Sequence, residues 1–190
     1  MKHLDACARF LVAVILTGGL TACVAVARDA WSPWGNRLLP PEALGASVRA
    51  VQQWHILSGG RSWLILSVLD VSPHGLTLVG LSGFGRRVIT LRYNGVELSE
   101  EHHPRVPEEL EGRRILRELQ LIYWPKDAVL HALPPGWHVE DTGAERVVTN
   151  AAGTVVHIHC DGKDRWQGHC RYEDLRSGYR LAIDSQVEAP

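Results

Sequence analysis

Apolar and polar residues alternate from Val48 to Ile56. Val48, Ala50, Gln52, Trp54 and Ile56 share one face, and Arg49, Gln53 and His55 share the other. A period of two predicts a half-buried strand. Ser58-Gly59-Gly60 turns the chain, and residues 62–71, SWLILSVLDV, predict a long apolar strand. Pro73-His74-Gly75 turns it again before a third strand over residues 76–82. The sequence SGFG at 82–85 interrupts the pattern. It resumes in RRVITLRYNG, which closes on Asn94-Gly95, a strong hairpin signal. Strands at roughly ten-residue spacing predict an antiparallel meander of the barrel or sandwich type.

The period then changes. Within residues 107–125, Ile115, Leu116, Leu119, Ile122 and Tyr123 recur at helical spacing. Arg113, Arg114, Arg117 and Glu118 fall on the other side and predict a charged outer face. Pro125 ends this helix and can open a second, short one over KDAVLHAL, which Pro134-Pro135-Gly136 stops. The polar EEHH at 100–103, beside Pro104, reads as a solvated loop. Four further strands follow at 146–150, 154–160, 168–174 and 178–185. The expectation is a single mainly β domain over residues 47–190: an incomplete antiparallel barrel with a two-helix lid.

The first residues follow another logic. Lys2, His3 and Arg9 precede an uncharged run from Phe10 to Ala27. This is the order of a secretory signal. Leu20-Thr21-Ala22-Cys23 resembles the bacterial lipobox, which implies a signal peptide over 1–22 and a diacylated Cys23 as the first mature residue. An uncleaved anchor is the alternative, because about 18 apolar residues reach the lower edge of a membrane span; a plain cleaved signal is another. Val24 and Ala25 follow the cysteine, with no aspartate. By resemblance to enterobacterial sorting rules this implies the outer membrane, facing the periplasm. Residues 23–46, with Pro33, Pro40, Pro41 and Gly45, read as an acylated start and an extended tether.

Removing the leader takes Lys plus Arg from 20 to 18 and Asp plus Glu from 21 to 20, a net charge of about −2. Such a balance gives no basic excess for nucleic acid. Cys160 and Cys170 sit in VVHIHCDGKDRWQGHCRY, which reads as two strands around the turn Asp161-Gly162. In an oxidising compartment these two thiols are expected to bridge across the hairpin. His157, His159 and His169 form the densest cluster of metal-ligating side chains. Alternation, however, sends Val156, Ile158 and Cys160 to the core and the histidines to solvent, so no metal is assigned. Hydrolase elbows, phosphate loops and dinucleotide fingerprints are absent, and no cofactor or catalytic residue is nominated.

The stretches LTLVGLSGFGRRVITLRYNG and RRILRELQLIYWPKDAVLHALPPGW, with Leu119-Gln120-Leu121-Ile122-Tyr123-Trp124-Pro125 and Gly178-Tyr179-Arg180-Leu181-Ala182-Ile183, resemble the DUF3261 family of bacterial lipoproteins of unknown function. More distantly they resemble the LolA/LolB group of lipoprotein carriers and receptors. The resemblance implies a curled sheet whose apolar hollow holds acyl chains, and a non-catalytic role. It implies membrane lipids as partners, a hydrophobic cargo (an acyl chain, a lipoprotein or a polyene lipid) and a periplasmic LolA-like carrier. The occurrence of DUF3261 members beside aryl-polyene biosynthesis genes makes a pigment lipid one candidate cargo. On this reading Trp54, Trp63, Leu78, Ile115, Leu116, Leu119, Ile122, Tyr123 and Trp124 line the hollow. The same residues also suit a plain packed core, because a cavity wall and an interior demand the same side chains.

In the LolB pattern a loop between two strands presents a leucine to the membrane, and here Phe84 takes its place between Gly83 and Gly85. Those glycines leave the backbone free to swing the ring outward. Arg86 and Arg87 follow, and each basic residue near an anionic surface adds about 1 kcal/mol. A phenylalanine tucked into the barrel end, with both arginines in water, fits the sequence equally. The expected function is an outer-membrane lipoprotein that binds a hydrophobic molecule and transfers it to or from the membrane. The alternative is a structural or assembly lipoprotein with a filled core that binds a protein partner.

Overall fold

The computed structural model describes residues 37–103 and 110–188. The leader, Cys23 and most of the expected tether lie outside the described residues. The strands are β1 (Val48–Ser58), β2 (Arg61–Ser72), β3 (Gly75–Ser82), β4 (Arg87–Tyr93), β5 (Leu98–His102), β6 (His138–Asp141), β7 (Glu145–Asn150), β8 (Gly153–Asp164), β9 (Gln167–Asp174) and β10 (Tyr179–Val187). They form one sheet in the order β5-β4-β3-β2-β1-β10-β9-β8-β7-β6. The first and last strands therefore meet in its middle, with Trp54 opposite Ile183 and Ile56 opposite Leu181. From edge strand β5 the chain passes through helices α1 (Gly112–Tyr123) and α2 (Lys126–Ala132) and returns as the other edge, β6. The result is a mainly β, half-open antiparallel barrel with a two-helix lid.

The alternation read from the sequence sets the two faces of this sheet. On β1, Ala50, Gln52, Trp54 and Ile56 point inward, and Arg49, Gln53 and His55 point to solvent. Ile65, Leu69, Leu78, Ile89, Leu91, Ile158 and Ile183 join them in one core. Three local expectations need correction. The EEHH segment is not a loop: Glu100, Glu101 and His102 belong to β5, an edge strand with Leu98 and Glu100 half-buried on one side and Ser99 and Glu101 exposed on the other. Residues 138–141 add β6, a further short edge. The hairpin of the two cysteines does not turn at Asp161-Gly162. The strand β8 continues to Asp164, and Gly162 sits in a bulge opposite the segment that leads into Gly168. Both glycines have φ near +120°, a region that favours glycine.

Helix α1 is sunk into the barrel more deeply than its charge pattern suggests. Nine of its twelve residues are buried, so its polar side is enclosed as well. Glu118, expected on a charged outer face, is instead 4 % exposed. It accepts hydrogen bonds from Arg114 (2.9 Å) and from the Tyr179 hydroxyl (2.8 Å), while the Arg114 guanidinium lies 3.9 Å from the centre of the Tyr179 ring. Burial pushes the Glu118 carboxyl upward, against the pull of Arg114. The helix also sits close to the sheet: a Cβ on Gly112 would collide with Leu91 and Glu100.

Both ends of α1 are completed by the sheet. At its start the Gly112 N–H donates to the Glu100 carboxylate of β5. At its end Arg146 donates to the carbonyls of Leu121 (2.6 Å) and Trp124 (2.9 Å), and Arg165 to that of Ile122 (3.1 Å). Asp141 holds both guanidiniums, at 2.5 Å and 2.7 Å. Orphan amides and carbonyls at helix ends need such partners, and the signs match the helix dipole. The last part of the expected tether also packs here. The Leu39 N–H donates to the Gln120 side-chain oxygen (2.9 Å), the Gln120 side-chain nitrogen donates to the Leu39 carbonyl (2.7 Å), and the buried Leu44 belongs to a 3-10 turn, Pro41–Leu44.

Candidate functional site

At one end of the sheet β2 overhangs β3. Ile65 pairs with Ser82, the last residue of β3, so Arg61 to Leu64 project beyond it. The turn from Ser82 to Arg86 lies against this overhang, with Gly83 facing the Leu64 side chain. The two enclose a pocket of about 820 Å³ whose apolar wall is Trp63, Leu64, Ile65, Phe84, Val88 and Leu110. Phe84 stands at the tip, 95 % exposed, and Leu64 and Leu66 are each 43 % exposed at alternate outward positions of β2. The ring is therefore turned out of the barrel, not tucked into its end. Exposed apolar side chains gathered beside a pocket are unusual on a soluble surface and mark a contact site.

The turn is built, not slack. The Ser82 N–H donates to the Arg86 carbonyl (2.8 Å), the Gly85 N–H to the Ser82 carbonyl (2.8 Å) and the Arg86 N–H to the Ser82 hydroxyl (3.3 Å). Gly85 takes φ +74°, which a side chain would resist. Arg86 and Arg87 are exposed and line the pocket. Among the described residues no acidic side chain lines it or pairs with either arginine. Phe84, Arg86 and Arg87 all line this one pocket. No signal in the sequence pointed to Leu64 or Leu110 as their neighbours, because these contacts are tertiary.

The residues expected to line an internal hollow lie elsewhere. Trp63 belongs to the pocket just described. Trp54, Leu78, Ile115, Leu116, Leu119, Ile122, Tyr123 and Trp124 are each at most 5 % exposed and pack into one core cluster. A polar network runs through that interior. The Gln52 amide donates to the Tyr123 hydroxyl (3.1 Å) and the Ser185 hydroxyl (3.2 Å), and accepts from the Trp54 indole (3.0 Å). Burial pushes the Tyr123 phenol well up. The buried Ser67 hydroxyl has no partner among the described residues.

Cys160 and Cys170 face each other across β8 and β9 and form a disulfide. The half-buried histidines make ion pairs on the outer face. His157 and His159 share the two oxygens of Glu145, His159 also meets Asp161 (2.8 Å), and His169 meets Asp184 (2.8 Å). Hydrogen bonds that the imidazole donates to Glu145, and then to Asp161, hold His159 above its usual value. The described residues contain no group of three or more ligating side chains that could hold a metal ion, and no helix among them is long and apolar enough to cross a membrane.

A family model described as "Protein of unknown function (DUF3261)" matches residues 49–187. No curated protein matches the chain. Among solved structures, a crystal structure of a DUF1329 family protein from Desulfovibrio piger ATCC 29098 is similar at 12 % identity. That match covers 77 % of this chain and 87 % of the other, with a TM-score of 0.35.

Proposed function

The chain belongs to the DUF3261 family of proteins of unknown function, and from that premise we propose that it is a non-catalytic carrier of a hydrophobic molecule. On this reading Cys23 is acylated and holds the protein on the periplasmic face of the outer membrane. The Phe84 end meets the lipid surface. Cargo passes to or from the membrane there, and a LolA-like periplasmic protein is the partner on the soluble side. The lipobox Leu20–Cys23 supports the anchor. The single observation that carries the rest is the apolar pocket beneath an outward-turned Phe84, flanked by two cations that no acidic side chain among the described residues pairs with. Burial of a hydrocarbon there is favourable at about 25 cal/mol per Å². The buried residues Trp54, Leu78, Ile115, Leu116, Leu119, Ile122, Tyr123 and Trp124 would line a deeper chamber if α1 moves outward when cargo enters.

One observation favours a second reading. The interior is closely filled: a Cβ on Gly80 would come within 2.7 Å of the Ile89 side chain. A filled barrel suits an assembly lipoprotein that binds a protein partner. A fluorescent fatty-acid probe titrated into the full mature chain separates the two. Saturable binding that unlabelled acyl chains displace supports the carrier. If the probe fails to bind saturably, and solvent extracts of protein purified from its native membrane contain no stoichiometric lipid, the assembly reading replaces it.

A further inference from the structure

This inference rests on the carrier reading and adds the chemistry of the cargo's polar end. Most of the pocket wall is hydrocarbon, yet two adjacent arginines line it in a chain whose formal net charge is −1. No acidic side chain among the described residues lines the pocket or neutralises them. The Arg86 backbone is bonded through both its N–H and its carbonyl to Ser82, and Arg87 pairs with Leu81 as the first residue of β4. An apolar groove alone would take any greasy molecule. Two guanidiniums that no acidic side chain among the described residues opposes favour an anion at this wall, because each presents paired donors with the spacing of a carboxylate.

We propose that the pocket binds a single-chain amphiphile ending in a carboxylate. Its acid group is held by Arg86 and Arg87, and its hydrocarbon lies against Trp63, Leu64, Val88 and Leu110. The exposed Phe84 then covers the chain on the solvent side when the protein is away from the membrane. It swings onto the bilayer when the chain is delivered. The charge complementarity makes the site selective for the acid over an alcohol or ester of equal length.

The test uses dibrominated octadecanoic acid, whose bromines quench tryptophan emission on contact, titrated into the full mature chain. Trp63 is the tryptophan in the pocket wall, so the expected result is saturable quenching that Trp63→Phe removes. Replacing both arginines, R86Q with R87Q, is expected to weaken the acid about tenfold or more. Brominated octadecanol should bind the unaltered protein about as weakly as the acid binds that variant. Both arginines are exposed, and an unchanged melting temperature checks that the variant is folded. Equal affinity for acid and alcohol overturns the inference and leaves the carrier reading intact. Quenching that survives W63F also overturns it, by placing the chain elsewhere. No saturable quenching by either compound removes the carrier reading together with the inference.

Discussion

The indole of Trp166 stacks on the ring of Tyr123, with centroids 4.0 Å apart and planes 18° from parallel. Trp166 is at the tip of the β8–β9 hairpin, and Tyr123 is the last residue of α1. The same tip supplies Arg165, which caps the Ile122 carbonyl, and Cys170 Sγ lies 3.6 Å from the Arg165 carbonyl. The disulfide therefore secures the hairpin that holds the helix end in place.

Two variants measure this latch. Replacing Cys160 and Cys170 together with alanine is expected to cost about 3 kcal/mol, the chain-entropy value for a short loop. Trp166→Ala is expected to cost about 2 kcal/mol through lost stacking and packing. Because both act on one contact, the triple variant should lose less than the sum in denaturant unfolding. Strict additivity would show that the hairpin and the helix end are independent.

A second prediction concerns acid. Burial opposes ionisation of Asp141, but the Gly143 N–H and the Arg146 guanidinium outweigh it and hold the carboxyl below the usual range. A lowered folded value stabilises the protein above the unfolded value of 3.8 and is lost as pH falls through the folded one. Melting temperature should therefore decline as pH falls below about 4. Asp141→Asn leaves the 3 %-exposed Arg146 side chain without its counter-charge. It should cost about 3 kcal/mol at neutral pH and flatten the acid decline. A variant that melts like the parent would contradict the role assigned to this clasp.

The outer face makes the opposite prediction at higher pH. His159 titrates above its ordinary 6.5 because Glu145 and Asp161 accept from it. A raised histidine stabilises the folded chain below 6.5, and that contribution disappears as pH rises through the folded value. Carbon-bound ring proton shifts in an NMR titration should place the His159 midpoint above 6.5, and His159→Gln should remove the corresponding slope in stability. A midpoint at or below 6.5 would rule out the paired arrangement.

Strands that bury one face announced themselves in the sequence. The alternation of Trp54, Ile56, Ile65 and Leu69 was enough to set β1 and β2, and Cys160 and Cys170 pointed to their own bridge. What was hidden has a physical reason in each case. The strand β5 has one apolar residue, Leu98, and its half-buried side continues with Glu100, so Glu100 to His102 carry no apolar period. Glu118 looked solvated because its partner Tyr179 is sixty-one residues away in the chain. The caps from Arg146 and Arg165 are tertiary, and no local pattern encodes them. Of the candidate site, the Phe84 turn was legible and the direction of its ring was not. That direction follows from the overhang of β2, which the register of β2 on β3 creates.

The most direct measurement is the rate at which a fluorescent acyl chain, preloaded on the full mature protein, moves into vesicles containing phosphatidylglycerol. Phe84→Glu places a charge where the ring would enter the bilayer, so the account predicts that protein already loaded with the chain transfers it about tenfold or more slowly. Transfer at the parental rate by the loaded variant would contradict the claim that this end of the barrel is where cargo meets the membrane.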